Sequence, residues 1–168
     1  MQNKKLTLIV EQLAILLIKN NKQLSVAESC TGGWVAKRLT DLPGSSAWFD
    51  RGFVTYSNQA KQDMLGVAES TIESYGAVSQ ETVIEMAKGA LKNSIADYSL
   101  SISGIAGPDG ATKDKPVGLV WFAWCEKSRA NQDAVILTEQ KIFNGDRNAV
   151  REQAVLHALT KLVIFIQQ

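Results

Sequence analysis

Apolar residues near the start of the chain recur every three or four positions, at Leu6, Ile9, Val10, Leu13, Leu16 and Leu17. This spacing predicts an amphipathic helix that ends near Asn20 and Asn21. The same periodicity, together with capping and turn residues, predicts four further helices. They cover residues 34–42, residues 58–65, residues 80–93 after a Ser79 cap, and residues 147–166 after a cap at Asn144 or Asp146.

Five shorter runs are rich in β-branched and aromatic residues, which favour strands. They are residues 24–27, 49–56, 98–103, 117–124 and 134–143. Helices and strands alternate without a linker or an internal repeat, a pattern typical of an α/β fold with a mixed sheet between helices. The 168 residues fit one domain, residues 1–168, because a core of this size buries roughly 70% of the surface of the unfolded chain.

Charge and cysteine content argue against several classes of function. Lys and Arg total 18 against 17 Asp and Glu, so no overall field favours nucleic acid or an anionic membrane as a partner. Cys30 and Cys125 have neither a metal-ligand spacing nor a disulfide framework and are interpreted as small buried residues. The N-terminus lacks the pattern of a signal peptide, and the apolar runs are too short to span a bilayer. We expect a cytoplasmic protein that needs no metal.

The first candidate for chemistry is the polar turn of residues 28–33, which contains Ser29, Thr31, Gly32 and Gly33. It lies between a predicted strand and a predicted helix. Such a turn directs backbone N–H groups at a ligand and favours an anion such as phosphate. An ordinary helix start, capped by Ser29 or Thr31, fits the same residues equally well.

Two further segments offer hydroxyls and an amine. Residues 43–46 form a turn that includes Ser45 and Ser46, although serine is common in turns of any function. Tyr56 ends a predicted strand, and Lys61 follows five residues later on the next predicted helix. A lysine in a desolvated pocket loses its charge and acts as a general base toward a serine, whereas a lysine on a helix surface has no such role. Spacing alone favours the surface lysine.

Glycines cluster in residues 103–110, where Ser103 and Gly104 follow a predicted strand. They indicate either a close approach of the backbone to a ligand or a flexible surface loop. Arg147 opens the last predicted helix, where a guanidinium can clamp a phosphate or a carboxylate. His157 is the only histidine and is interpreted as a packing or surface residue, so a Ser-His-Asp mechanism has little support.

Seven blocks of the sequence, in chain order, resemble the CinA C-terminal family. They are AESCTGG at 27–33, GSSAWF at 44–49, VTYSNQAK at 54–61, GAVS at 76–79, GIAGP at 104–108, KPVG at 115–118 and GDR at 145–147. The family includes nicotinamide mononucleotide deamidases, which convert the carboxamide of that nucleotide to a carboxylate and release ammonia. The resemblance implies a three-layer α/β/α sandwich and an amidohydrolase with a serine–lysine centre, a small-molecule nucleotide substrate, no metal and no cofactor.

The resemblance also assigns roles to particular residues. The catalytic serine and lysine fall on Ser46 and Lys61, with Tyr56 beside them and Ser29 as the alternative nucleophile. Substrate contacts fall on Thr31, Gly32, Gly33, Ser103, Gly104 and Arg147, with the phosphate at the two adjacent glycines and at the arginine. A binding module that senses a pyridine nucleotide, or an amidase for another small amide, is the alternative function. The sequence leaves a homo-oligomer open.

Overall fold

The computed structural model describes residues 2–127 and 134–168. In chain order the elements are α1 (Gln2–Lys19), β1 (Leu24–Glu28), α2 (Trp34–Thr40), a 3₁₀ turn (Ser45–Ala47), β2 (Phe49–Val54), α3 (Asn58–Leu65), α4 (Glu69–Tyr75), α5 (Gln80–Lys92), β3 (Tyr98–Gly104), β4 (Leu119–Glu126), β5 (Val135–Ile142) and α6 (Arg147–Ile166). Every predicted helix and strand is present. None of the helices in these two ranges has the length and apolar character needed to cross a membrane.

The five strands form one mixed sheet in the order β2-β1-β3-β4-β5. Strand β1 runs parallel to both of its neighbours, whereas β4 runs antiparallel to β3 and β5. The carboxyl ends of β1, β2 and β3 therefore meet at one edge of the sheet. In open α/β sheets this is the edge where ligands bind.

Side chains alternate along β3 and separate the two faces of the sheet. Leu100 and Ile102 join the main core, which lies under α1, α2 and α6. Ser99 and Ser101 point to α5 on the other face, where Ser99 Oγ donates to the backbone oxygen of Ala87 at 2.8 Å and Ser101 Oγ makes a similar bond at 2.6 Å. Helices α3, α4 and α5 cover this second face. The predicted three-layer α/β/α sandwich is confirmed.

Helix α4 is the one described helix that the sequence pattern did not predict. Its N-cap residue, Ala68, has no side chain that can cap the helix. The carboxylate of Glu85 on α5 supplies the cap, accepting the Ala68 N–H at 2.8 Å and the Thr71 hydroxyl at 2.7 Å. A cap that comes from another helix leaves no local signal in the sequence.

His157 packs inside the core layer, as predicted. Its ring centroid lies 5.1 Å from that of Phe122, and its Nε2 lies 3.4 Å from a carboxylate oxygen of Glu139. Burial lowers the pKa of His157 below its ordinary value, and the neighbouring Glu139 opposes this effect. A neutral imidazole in an aromatic cluster fills space and is placed away from the sheet edge described above.

Candidate active site

A cavity of about 240 Å³ opens at the sheet edge where β1, β2 and β3 end. Six of the ten predicted site residues line it: Ser29, Tyr56, Lys61, Ser103, Gly104 and Arg147. These residues are distant in sequence. They come together because the parallel strands β1, β2 and β3 all end at the same edge of the sheet. The cavity is therefore the candidate active site.

Ser29 and Lys61 form a buried pair at the floor of this cavity. Lys61 Nζ donates to Ser29 Oγ at 3.0 Å and to the backbone oxygen of Thr55 at 2.9 Å. Lys61 is 1% exposed and Ser29 is 8% exposed. Burial lowers the pKa of the Lys61 ammonium below its ordinary value. The prediction from spacing, a solvated surface lysine, is wrong, because the first turn of α3 faces the core.

The local sequence explains why Lys61 points inward. Ser57 caps α3, and its Oγ accepts the N–H of Ala60 at 3.0 Å. Lys61 and Leu65 are four residues apart and share the buried face of this helix. The amine thus enters the cavity along a face that is otherwise apolar, which is the environment that desolvates it.

Glu28, the last residue of β1, holds the turn that follows it. Its carboxylate is buried and accepts hydrogen bonds from the Thr31 hydroxyl at 2.6 Å and from the N–H groups of Gly33, Val35 and Ala36 at 3.1, 3.0 and 2.8 Å. The start of α2 is thereby capped from within the chain. Neither Ser29 nor Thr31 provides the cap, so the interpretation of this turn as a helix start capped by one of them is corrected.

The same contacts argue against the phosphate position predicted at Gly32 and Gly33. The helix-start donors that would bind phosphate already bind the Glu28 carboxylate, and a second anion there would be repelled by the first. The two glycines have φ angles of 60° and 91°, a region that suits glycine, and this is what allows the tight turn. Thr31 likewise serves the turn, not the cavity.

Arg147 stands at the mouth of the cavity. The Asp146 carboxylate caps α6 by accepting the N–H of Ala149 at 2.9 Å, which places Arg147 at the first position of the helix. The guanidinium donates to the hydroxyl of Tyr56 at 2.7 Å and to the backbone oxygen of Gly107 at 2.8 Å. Neither acceptor is a carboxylate, so these two contacts do not form a salt bridge with the guanidinium.

Ser103 and Gly104 line the cavity, and both also make close contacts within the fold. Ser103 Oγ donates to the backbone oxygen of Ala77 at 2.7 Å, which commits its proton to a loop contact. A Cβ at Gly104 would lie 2.7 Å from Val120 Cγ2 and 2.8 Å from the backbone oxygen of Leu119. The close approach that this glycine permits within the protein is therefore to β4.

Ser46 lies at the other end of the sheet. It belongs to the exposed 3₁₀ turn before β2, whereas Lys61 follows the end of that strand. The register pairs Leu24 with Phe49 at one end of the strands and Glu28 with Val54 at the other, a span of about 13 Å at 3.3 Å per residue. The predicted pairing of Ser46 with Lys61 is therefore not formed, and Ser29 occupies the position of its partner.

Cys30 is the remaining nucleophilic side chain in the cavity lining. Burial raises the pKa of its thiol to about 12, and burial also raises the pKa of Cys125 to about 11. Both cysteines are buried and free, as the sequence predicted. A thiol that keeps its proton is a poor nucleophile, which leaves the hydroxyl of Ser29 as the stronger candidate nucleophile in this cavity.

Two residues with clear structural roles at the site were not assigned from the sequence. Glu28 carried a signal, because it is a charged residue at the end of an otherwise uncharged strand that is buried throughout. Arg151 lies four residues after Arg147 on α6 and reaches the outer side of the same turn. Within residues 2–127 and 134–168, no group of three or more His, Cys, Asp or Glu side chains is arranged to bind a metal ion.

The fold and the site together define a class. A mixed sheet lies between two layers of helices, and a buried serine and lysine share a cavity at the carboxyl ends of its parallel strands. This arrangement has the parts that an α/β hydrolytic enzyme with a serine nucleophile and a lysine base requires.

The comparison with protein families narrows the class further. Residues 6–166 match the CinA C-terminal domain. The chain belongs to the CinA C-terminal domain family, and the resemblance found in the sequence motifs is confirmed.

Individual relatives cover almost the whole chain. The protein is 53% identical to nicotinamide-nucleotide amidohydrolase PncC of Escherichia coli (strain K12) over 162 residues, which span 96% of this chain and 95% of that protein. It is 51% identical to the protein of the same name from Enterobacter agglomerans, with 99% of each chain covered. Among solved structures, competence damage-inducible protein A (ComA) of Klebsiella pneumoniae subsp. pneumoniae MGH 78578 superposes with a TM-score of 0.91 at 35% identity, covering 97% of this chain and 98% of that one.

Proposed function

We propose that this protein is an amidohydrolase that converts nicotinamide mononucleotide to nicotinic acid mononucleotide and ammonia. The observation that carries the proposal is the buried hydrogen bond between Lys61 Nζ and Ser29 Oγ inside the cavity. Likeness to the nicotinamide-nucleotide amidohydrolases along 96% of the chain supports the choice of substrate. The substrate is thus a small molecule with a carboxamide, a ribose and a phosphate.

Ser29 is the nucleophile and Lys61 is the general base in this proposal. Burial favours the neutral amine of Lys61, which takes the proton of the Ser29 hydroxyl as the oxygen attacks the carboxamide carbon. The lysine then gives that proton to the departing nitrogen, which leaves as ammonia. Water attacks the resulting ester, again with its proton passing to Lys61, and the serine recovers its own proton as the acid is released.

The oxygen that gains negative charge during attack needs hydrogen-bond donors. The Ser103 hydroxyl is already committed to a backbone oxygen. The nearest donors along the chain are the N–H groups of Cys30 and Thr31, which directly follow the nucleophile. One such donor typically lowers the barrier by about 3 kcal/mol.

Arg147 is the proposed contact for the substrate phosphate. The cavity of about 240 Å³ is smaller than the roughly 300 Å³ at which ligand pockets begin, so it holds the pyridine end of the nucleotide while the phosphate stays at the mouth. The guanidinium stands there with its charge uncompensated by Tyr56 or Gly107. This replaces the phosphate position at the glycines of the α2 start.

Ammonia release from nicotinamide mononucleotide by the purified protein tests the proposal. We expect turnover of the mononucleotide and much weaker turnover of nicotinamide riboside, which has the same carboxamide and no phosphate. Equal turnover of both would contradict the phosphate contact at Arg147. Binding of the mononucleotide without any ammonia release would contradict the enzyme and leave a binding module.

A further inference from the structure

Arg151 holds the serine turn, residues 29–33, from its outer side. It lies on α6, and its Nε donates to the backbone oxygen of Cys30 at 3.1 Å while its Nη2 donates to that of Thr31 at 2.9 Å. The guanidinium carbon lies 5.3 Å from the ring centroid of Trp34. We infer that Arg151 is a positioning residue for the nucleophile Ser29, an inference that rests on the proposed function.

The serine turn needs external support because its own backbone provides little. It contains the adjacent glycines Gly32 and Gly33, and glycine has more conformational freedom than any other residue. Glu28 holds the N–H side of the turn from within the core. Arg151 holds the carbonyl side. Because each peptide unit is planar, fixing the oxygens of Cys30 and Thr31 also fixes the N–H groups that belong to the same units.

The guanidinium suits this task better than an amine would. Two donors in a rigid plane bind the two carbonyl oxygens at once, and the face of Trp34 restrains that plane. Lysine keeps the charge but presents a single flexible ammonium group. Replacement by lysine therefore loosens the turn while leaving its charge in place.

The outer face of the serine turn borders an open cleft of about 620 Å³, lined in part by Arg38 and Arg151. Arg38 provides a matched control. It is another arginine of the cleft that donates to a backbone oxygen, that of Asn3 at 3.4 Å, and its ion pair is with Asp41. Neither contact touches the serine turn.

The test compares Arg151→Lys, Arg151→Met and Arg38→Lys with the wild type. Each enzyme is assayed for kcat and KM of ammonia release and for the rate at which a small fluorophosphonate labels Ser29. Labelled protein counts the competent sites, so partial unfolding is separated from slower chemistry. A shift of about 1 Å at a reacting group can cost up to about 100-fold in rate, and we expect kcat to fall at least tenfold in both Arg151 variants.

The pattern of the loss distinguishes positioning from binding or general stability. We expect KM to change by less than about twofold, the labelling rate to fall together with kcat, and Arg38→Lys to match the wild type. A kcat per labelled site within about twofold of the wild type in the Arg151 variants would overturn the inference. So would an equal loss of kcat in Arg38→Lys.

Failure of the proposed function gives a different result from failure of this inference. If the wild type releases no ammonia but Ser29 is still labelled, the labelling rates of the Arg151 variants decide the matter: slower labelling supports positioning, and unchanged labelling overturns it. A wild type that is neither active nor labelled removes Ser29 as the nucleophile and the inference with it. If Arg151→Met does not fold, Arg151→Lys and Trp34→Leu carry the same test, each expected to lower the labelling rate.

Discussion

The turn that carries Ser29 and the turn that carries Ser46 lie at opposite ends of the same pair of parallel strands. Ser29 is 8% exposed, bonds to a buried lysine and sits in a turn held by Glu28 and Arg151. Ser46 is exposed on a short 3₁₀ turn. The turn leads directly into Trp48, whose side chain is fully buried in the core. The two candidate serines, Ser46 and its alternative Ser29, thus have very different surroundings.

The difference shows what makes a hydroxyl reactive in this fold. A serine needs a base within hydrogen-bond distance and a backbone that holds the two in place, and residue type in a turn provides neither. At the carboxyl ends of the strands, the fold brings an amine, a buried carboxylate and an arginine to the turn that contains Ser29. Substitutions at Ser29, Lys61, Arg147 and Ser46 test this contrast.

Ser29→Ala should abolish turnover. Removal of a serine nucleophile leaves only the catalysis that binding and oxyanion donors provide, so we expect kcat to fall by at least about 10⁴-fold. The variant should still bind nicotinamide mononucleotide, since Arg147 and the cavity remain. Calorimetric binding and ammonia release, measured on the same sample, check both parts. Residual activity above about one hundredth of the wild type would assign the nucleophile elsewhere.

Lys61→Met should slow turnover by at least about 100-fold, the cost of losing a general base. Methionine has a similar length and suits the apolar face that Lys61 shares with Leu65, but it leaves the backbone oxygen of Thr55 without its donor. We therefore expect the variant to fold with a melting temperature lower by a few degrees at most. Kinetics and thermal unfolding together check this prediction. Near-normal kcat in a folded variant would show that the lysine is structural.

The pH dependence of kcat/KM is a second test of Lys61 as the general base. Because burial lowers the pKa of Lys61, the neutral base is present from a lower pH than for an exposed lysine, and it is lost when acid protonates the amine. We therefore expect kcat/KM to rise with pH along an acidic limb whose midpoint lies below the ordinary lysine pKa. In Lys61→Met this limb should be absent from the residual activity.

Arg147→Ala should raise KM by about ten- to 100-fold and leave kcat nearly unchanged. The estimate corresponds to loss of one hydrogen bond to a charged group, roughly 1.5–3 kcal/mol. The riboside is the matched control, because it has no phosphate and its KM should not respond to this substitution. An equal effect on both substrates would place the role of Arg147 in the Tyr56 and Gly107 contacts instead.

Ser46→Ala is the smallest expected effect and the counterpart of Ser29→Ala. A surface substitution usually changes stability by less than about 0.5 kcal/mol, so we expect kcat, KM and the melting temperature to match the wild type within about twofold or a few degrees. Ammonia release under the same conditions as for Ser29→Ala is the measurement. Complete loss of activity here would reverse the assignment of the two serines.

Much of the fold could be predicted from the sequence because the signals that define its helices lie within the helical segments themselves. Helix α3 has the predicted bounds because its cap, Ser57, and its terminating glycine, Gly66, lie within the segment itself. The Asp146 cap of α6 was one of two that the sequence offered. Helix α4 was missed because its capping group, Glu85, lies in another helix. Strand order was equally hidden, since pairing depends on contacts between distant segments.

In the candidate site, too, local signals were sufficient for some residues, whereas contacts between distant segments decided the others. Lys61, Tyr56 and Arg147 were found by residue type and motif, and the structure brings them to one cavity. The phosphate position predicted at Gly32 and Gly33 takes no account of the Glu28 carboxylate, which already accepts the N–H of Gly33. Residue spacing could not reveal this contact, since it depends on where the Glu28 side chain turns after β1 ends.

The sequence by itself determined every described helix except α4, the five strands of the sheet, the α/β class and the family, because periodicity, caps and motifs act over a few neighbouring residues. Tertiary structure alone decided which serine meets the lysine. Ser29 and Lys61 are 32 residues apart and touch only because β1 and β2 run parallel and end at the same edge of the sheet. The burial that lowers the pKa of Lys61 likewise exists only once the helices have packed on that sheet.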